Sequence, residues 1–336
     1  MSMSKTLKRK ITKTTLIYVA CAGLTLFLIV VSIGAGYKKA SLGQVITGLF
    51  SGGDYVVETL VRVNLPRTLV ALFSGAVLAV AGVLFQSVTR NRLADPSIVG
   101  VSSSTYTAGL FVSLLFPALV PFSPILAGVF GMAVFLMIFR LSYSHGVKSN
   151  RILAIGAAVN AVFMMIIITI AVMQNLSATN VLLSLSGSLA VPKPEIVYST
   201  IALSAVGLIA ALFCAGKCNV LALGDKTAQG LGVNVLRMKL ILAGISVFLT
   251  AVAAVNVGIT AFLGLLAPLI AKKLLGDNHY NVIPLSALLG GLFLLSADCL
   301  GRAMNTPVTL PVGIITTVIG GIVFIILLAR SYKNAD

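Results

Sequence analysis

The chain has 336 residues, of which 58% are hydrophobic and only 10% charged. A soluble domain is about a quarter charged, so this chain cannot cover a water-facing surface, and a pair of soluble domains is excluded. The net charge of +16 would point a soluble protein towards nucleic acid; in a membrane protein it asks which side of the bilayer the cations occupy.

Long unbroken apolar runs, such as 16–31 and 314–329, favour helices. A barrel strand would alternate polarity over about ten residues. Breaks at charges, Gly and Pro predict ten spans near 14–36, 65–88, 96–115, 121–141, 151–173, 196–215, 236–256, 259–275, 282–300 and 309–330. The first follows Lys5, Lys8, Arg9, Lys10 and Lys13, as in a signal peptide. Its apolar stretch is longer than a signal core, so an uncleaved span is expected. In the second, Ala71, Gly75 and Ala79 recur every four residues, a face suited to close helix packing in lipid. Gly290, Gly291, Gly320 and Gly321 offer similar small faces later. Val63-Asn64-Leu65-Pro66 opens the second span much as Val308-Thr309-Leu310-Pro311 opens the tenth. Proline is expected in the first helical turn, where its missing N–H costs nothing.

Residues 216–234, between spans six and seven, are too polar to cross a bilayer. Asp225 is placed to cap a short helix over 226–229 that Gly230 or Gly232 would end. Such a helix can dock in a groove of another protein, or be an ordinary capped loop; the residues leave both open. The eighth span is the shortest.

With an N-terminus in the cytoplasm and ten alternating spans, 18 of the 24 basic residues fall inside, a strong positive-inside bias. Both termini are then cytoplasmic. Cys21, Cys214, Cys218 and Cys299 lack metal-ligand spacing and are expected to be buried thiols. His145 and His279 are expected in solvated loops. The span interiors hold neutral polar residues, Gln86, Asn160, Gln174 and Asn256, while Asp298 lies near the outer end of the ninth. Ion-coupled carriers place ionisable groups at mid-membrane. No nucleotide-binding loop, metal-protease motif or nucleophile–base pair occurs in the sequence. Active transport by this chain would draw its energy from a partner.

Several ordered motifs carry a family resemblance. They are Leu65-Pro-Arg67, the small-residue run 74–82, Phe85-Gln86, Arg90-Asn-Arg-Leu-Ala-Asp-Pro96 and Val99-Gly-Val-Ser102. Ala222-Leu-Gly224 through Gly230-Leu-Gly232, the stretch 258–268, Ser296-Ala-Asp-Cys-Leu-Gly-Arg302 and Leu310-Pro-Val-Gly-Ile-Ile-Thr316 complete the series. From about residue 60 to 330 the chain resembles FecCD-type permeases, the membrane subunits of ABC importers for iron–siderophore, haem and cobalamin.

The resemblance implies an all-α polytopic fold of about ten transmembrane helices, the ABC type II importer permease fold, over 1–336 as one domain. It implies a homodimer or a pair with a similar subunit, two cytoplasmic ABC ATPases and an extracellular or periplasmic solute-binding protein. The location implied is the bacterial cytoplasmic membrane, with lipid around the chain and no nucleic acid. No cofactor or metal is expected on this chain; ATP is used by the partner, and no catalytic residue is expected here. The loop at about 216–235 would be the coupling element, with Leu223, Gly224, Asp225, Ala228, Gly230, Leu231 and Gly232 meeting the ATPase. Arg62, Arg67 and Arg302 would meet acidic groups on the binding protein. Snorkelling for Arg67 and an i, i+4 ion pair with Asp298 for Arg302 are the structural alternatives. Gln86, Asn160, Gly75 and Gly313 are pathway or packing candidates. An iron chelate, a siderophore or haem, is the expected cargo, with cobalamin or an ATPase-independent carrier as the alternatives. The chain departs from the family pattern at Asn64, Arg92, Leu269 and Ile322.

Overall fold

A computed structural model describes residues 2–34, 55–142, 149–174, 189, 192–304 and 310–333. His145, Val308 and Thr309 lie outside them. All regular elements among the described residues are helical. They are α1 (Ser2–Gly34), α2 (Tyr55–Thr89), α3 (Val101–Leu115), a 3₁₀ segment (Pro117–Phe122), α4 (Ser123–Ser142), α5 (Ser149–Met173) and α6 (Pro194–Phe213). Two short helices follow, α7 (Ala215–Ala222) and α8 (Asp225–Gly230). The last four are α9 (Val235–Val257), α10 (Leu263–Leu275), α11 (His279–Met304) and α12 (Val312–Lys333).

Each of the ten expected spans overlaps one helix, α1–α6 and α9–α12. Among the described residues, seven helices are long and apolar enough to cross a bilayer by length and composition, and α3 and α12 add shorter apolar stretches. With 13 residues, α10 rises only about 20 Å, less than the roughly 30 Å of a hydrocarbon core.

The centre of the bundle is α2. It is apolar all round, as a helix buried on every side must be, and it packs chiefly on α9 and α11. Small residues make this possible: Gly75 lies against the backbone of Gly290, and Gly82 against that of Gly264. Ser246 on α9 donates to the Ala81 carbonyl at 2.8 Å, a bond that lipid cannot supply. Phe85 and Phe135 meet edge to face with centroids 6.0 Å apart. Outer helices keep their apolar side chains on the surface, Leu16, Val19, Val162 and Met165 among them.

Two local expectations are corrected. Pro66 lies inside α2, which begins at Tyr55, rather than in its first turn. Helices in a bilayer tolerate this because neighbouring groups satisfy the freed backbone. Residues 216–222, expected as loop, belong to α7, whose inward residues Ala215, Cys218 and Leu221 are buried.

Candidate functional site

Two polar clusters occupy opposite ends of the bundle. The first surrounds the segment between α6 and α9. Gly224 precedes α8 with φ 110°, a conformation open to glycine and strained for other residues. A Cβ there would sit 3.3 Å from the Arg90 guanidinium. At the other end of α8, Gly232 has φ 78°. Its N–H donates to the Gln229 carbonyl at 2.9 Å, and the Val233 N–H to that of Ala228 at 3.2 Å. That pair of bonds is a Schellman stop.

Asp225 does not cap α8, contrary to expectation; Gly224 holds the N-cap position without a side-chain bond. The carboxylate of Asp225 instead accepts from Lys239 Nζ on α9 at 2.6 Å, and Arg90 Nη1 lies 3.9 Å away. A half-exposed carboxylate gains more from a buried ammonium than from a backbone N–H. Ala228 points inward and is fully buried, while Leu223 and Leu231 are about 60% exposed. The segment thus presents two leucines outward on a turn pinned from behind. Arg90, which supports it, has φ 52°. Asn91 N–H donates to the Gln86 carbonyl at 3.2 Å, so Arg90 takes the left-handed stop position of α2 that glycine usually fills.

Beside this segment α7 carries Cys218. Burial pushes its thiol up to about 12. Thiols react as thiolates, so Cys218 is expected to resist N-ethylmaleimide at pH 7.5 and to react after unfolding; mass spectrometry of labelled native protein checks this. His279 is also buried, against the expectation of a solvated loop. It opens α11 and lies 2.8 Å from Asn219 Oδ1 and 3.2 Å from Ser87 Oγ. The polar sequence around 276–281 hides this, because the partners come from α2 and α7.

The second cluster ties α1, α2 and α11. Asp298 accepts from Arg67 Nε at 3.0 Å and Nη2 at 2.8 Å, and Arg302 Nη2 lies 3.0 Å from its other oxygen. Arg302 also donates to the Ser32 carbonyl at 2.8 Å, and Ser32 meets Thr68 at 2.6 Å. Asn64, a departure from the family pattern, donates to the Ile33 carbonyl at 2.8 Å. Arg67 and Arg302 were expected as exposed rim charges; both are under 10% exposed. A charge-assisted network around one carboxylate holds them inside. Arg62 is exposed.

The remaining candidates are scattered. Gln86 accepts from Lys272 Nζ at 2.8 Å. Asn160 packs its backbone on the Gly100 turn. Gly75 sits at the α2–α11 crossing, and Gly313 is buried in the first turn of α12, accepting from Thr316 at 3.0 Å. Asn256 joins α9 to α6 through Thr200 at 2.9 Å. Sequence reasoning missed Arg90, Asn219 and Lys239. Lys239 carried a signal, as one of only two charged residues, with Arg237, in α9.

This architecture defines a polytopic helical protein with a pinned surface segment at one end and, among the described residues, no catalytic constellation in its polar clusters. The FecCD transport family model matches residues 24–330, and the chain belongs to that family. It is 32% identical over 304 residues to a protein of Staphylococcus aureus strain MSSA476 named probable heme-iron transport system permease IsdF, covering 90% of this chain and 92% of that one. The corresponding protein of strain Newman is 31% identical over the same share. Among solved structures, one described as a metal-chelate type ABC transporter in an inward-facing conformation matches with a TM-score of 0.77. It is 25% identical, with 94% of this chain and 99% of that chain covered. PsaBC of Streptococcus pneumoniae shares the fold, with a TM-score of 0.57 at 17% identity over 85% of this chain and 95% of that chain. The chain is therefore a non-catalytic transmembrane permease subunit of the ABC importer type.

Proposed function

We propose that this permease imports an iron chelate, haem first, with ATP hydrolysed by two partner subunits. The name of the staphylococcal relatives, at 32% identity over 90% of this chain, supports the cargo. One observation carries the coupling mechanism. The stretch 223–232 is rigid at its base, through Asp225, Lys239 and the Schellman stop, and apolar at its tip, through Leu223 and Leu231. A rigid base transmits a push, and exposed leucines fill a groove. Motion of the ATPase then reaches α9 through Lys239 and α2 through Arg90.

In this reading α7 and α8 face the cytoplasm, as does the N-terminus, and the Asp298 end faces a solute-binding protein. The whole chain acts as one permease domain, paired with a second copy or a similar subunit. Arg62 supplies the exposed charge for docking, while Arg67 and Arg302 hold the helix ends that present it. Rim charges of this kind steer and orient a partner.

Reconstitution with the ATPase and binding protein in liposomes tests this. ATP-dependent haem uptake is expected, and Leu223→Asp with Leu231→Asp should lower it at least tenfold. A charged tip cannot enter an apolar groove, while the fold beneath is untouched. Uptake that persists without the ATPase on an ion gradient would overturn the reading.

A further inference from the structure

At the α7–α8 end a cleft of about 360 Å³ opens between the ends of α2, α7 and α10 and the start of α11. It shares Arg90 and Leu223 with the coupling segment, but Arg92, Lys272 and Asp277 have no part in the coupling mechanism. Its charged walls are Arg90, Arg92, Lys272 and Asp277, with Gln86 and Ser87 beneath. Three cations therefore face one carboxylate, which Arg92 already engages at 3.1 Å.

The floor is the informative part. The described hydrogen bond of Lys272 Nζ runs to an amide oxygen, Gln86 Oε1, at 2.8 Å. An ammonium has three donors, so one neutral acceptor leaves capacity for an anion. Arg90 is 3.9 Å from Asp225, which Lys239 holds at 2.6 Å. Its side chain is 47% exposed, so the guanidinium keeps open edges for a tetrahedral oxyanion. The buried polar neighbours Gln86 and Ser87 make the floor a fixed surface rather than a mobile one. The mouth is edged by Leu223, and the nearby Tyr280 is 60% exposed. Tyrosine at the end of an apolar helix marks headgroup depth.

We propose that this cleft binds a phosphate group, presented by an anionic phospholipid headgroup or free in solution. Basic recesses between spans at the cytoplasmic face are suited to such headgroups. A phosphate there would bridge the ends of α2 and α10 next to the segment that meets the ATPase.

The test uses the full-length permease, delipidated in neutral detergent. Its melting temperature is followed against inorganic phosphate, with chloride at matched ionic strength, and in a second arm against phosphatidylglycerol or phosphatidylcholine in mixed micelles. Saturable stabilisation by either phosphate source, absent with chloride and phosphatidylcholine, is expected. Response to phosphatidylglycerol alone assigns the headgroup, and response to both assigns phosphate itself. Lys272→Met should weaken the apparent affinity at least fivefold, and Lys273→Met, an exposed neighbour, should leave it unchanged. Arg92→Gln, on the exposed rim, should weaken it twofold or more, and it decides the question if Lys272→Met fails to fold. No saturable shift in either arm, or equal weakening by the Lys272 and Lys273 substitutions, would overturn the proposal.

Discussion

Asp298→Asn is expected to unfold much of the population in detergent. The substitution keeps the shape and removes the charge that two buried guanidiniums share. Arg67 is 2.8 Å from one carboxylate oxygen and Arg302 3.0 Å from the other, with the Asp298 side chain fully buried. Breaking a buried pair costs about 3–5 kcal/mol, because the remaining charge stays desolvated. Here two such charges remain. A folded membrane protein has a margin of similar size, so the monodisperse peak in gel filtration should shrink and the melting temperature fall steeply. Asp277→Asn is the control. Its partner Arg92 is 68% exposed and Asp277 itself 61%, and an exposed pair is worth about 0–1 kcal/mol. Replacing all three residues together, Arg67→Met, Asp298→Leu and Arg302→Met, should recover part of the loss, since apolar groups of similar size can substitute for a buried ionic set. A wild-type melting temperature for Asp298→Asn would refute the assignment.

The same cluster shows where a linear sequence falls short. Asp298 and Arg302 stand four apart on one helix, and that pairing is legible from spacing alone. Arg67 lies 231 positions away from Asp298, so its place in the cluster depends on how α2 packs on α11. The packing itself left a trace: Gly75 and Ala79 on one helix and Gly290 on the other meet where their small faces coincide. The apolar helices were legible because hydrocarbon imposes length and apolarity on each one separately; seven of those described are long enough to span. The polar ends obey no such local rule. His279 lies in a polar stretch and is nonetheless buried by Asn219 and Ser87 from two other helices. Asp225 has the right residue type for a cap, but Lys239, 14 residues on, takes its carboxylate. Burial of polar groups is decided by partners distant in sequence, and partners are what spacing cannot supply.

Gly82→Ala is expected to abolish the folded permease, although alanine is the better helix former by about 1 kcal/mol. A Cβ on Gly82 would overlap the carbonyl oxygen of Gly264. The obstacle is the Gly264 backbone, which cannot yield without moving α2 from α10, and overpacking in a close-packed interior costs about 1–3 kcal/mol or more. In lipid no hydrophobic drive restores the contact once the helices part, because tight packing is itself what joins them. Other glycines grade the argument. At Gly207 the added methyl would meet a methyl of Leu249, with Leu249 Cγ and the Phe248 ring at 3.2 and 3.3 Å; these are side chains rather than backbone, so Gly207→Ala should cost less than Gly82→Ala. At Gly321 nothing lies within 4 Å, and Gly321→Ala should be neutral or slightly stabilising. Folded yield and melting temperature should therefore rank Gly82→Ala far below Gly207→Ala, with Gly321→Ala at or above wild type. Equal tolerance at all three sites would mean that α2 and α10 do not touch through their backbones. The ranking thus tests the packing of the central helix itself, apart from any question of cargo or partner.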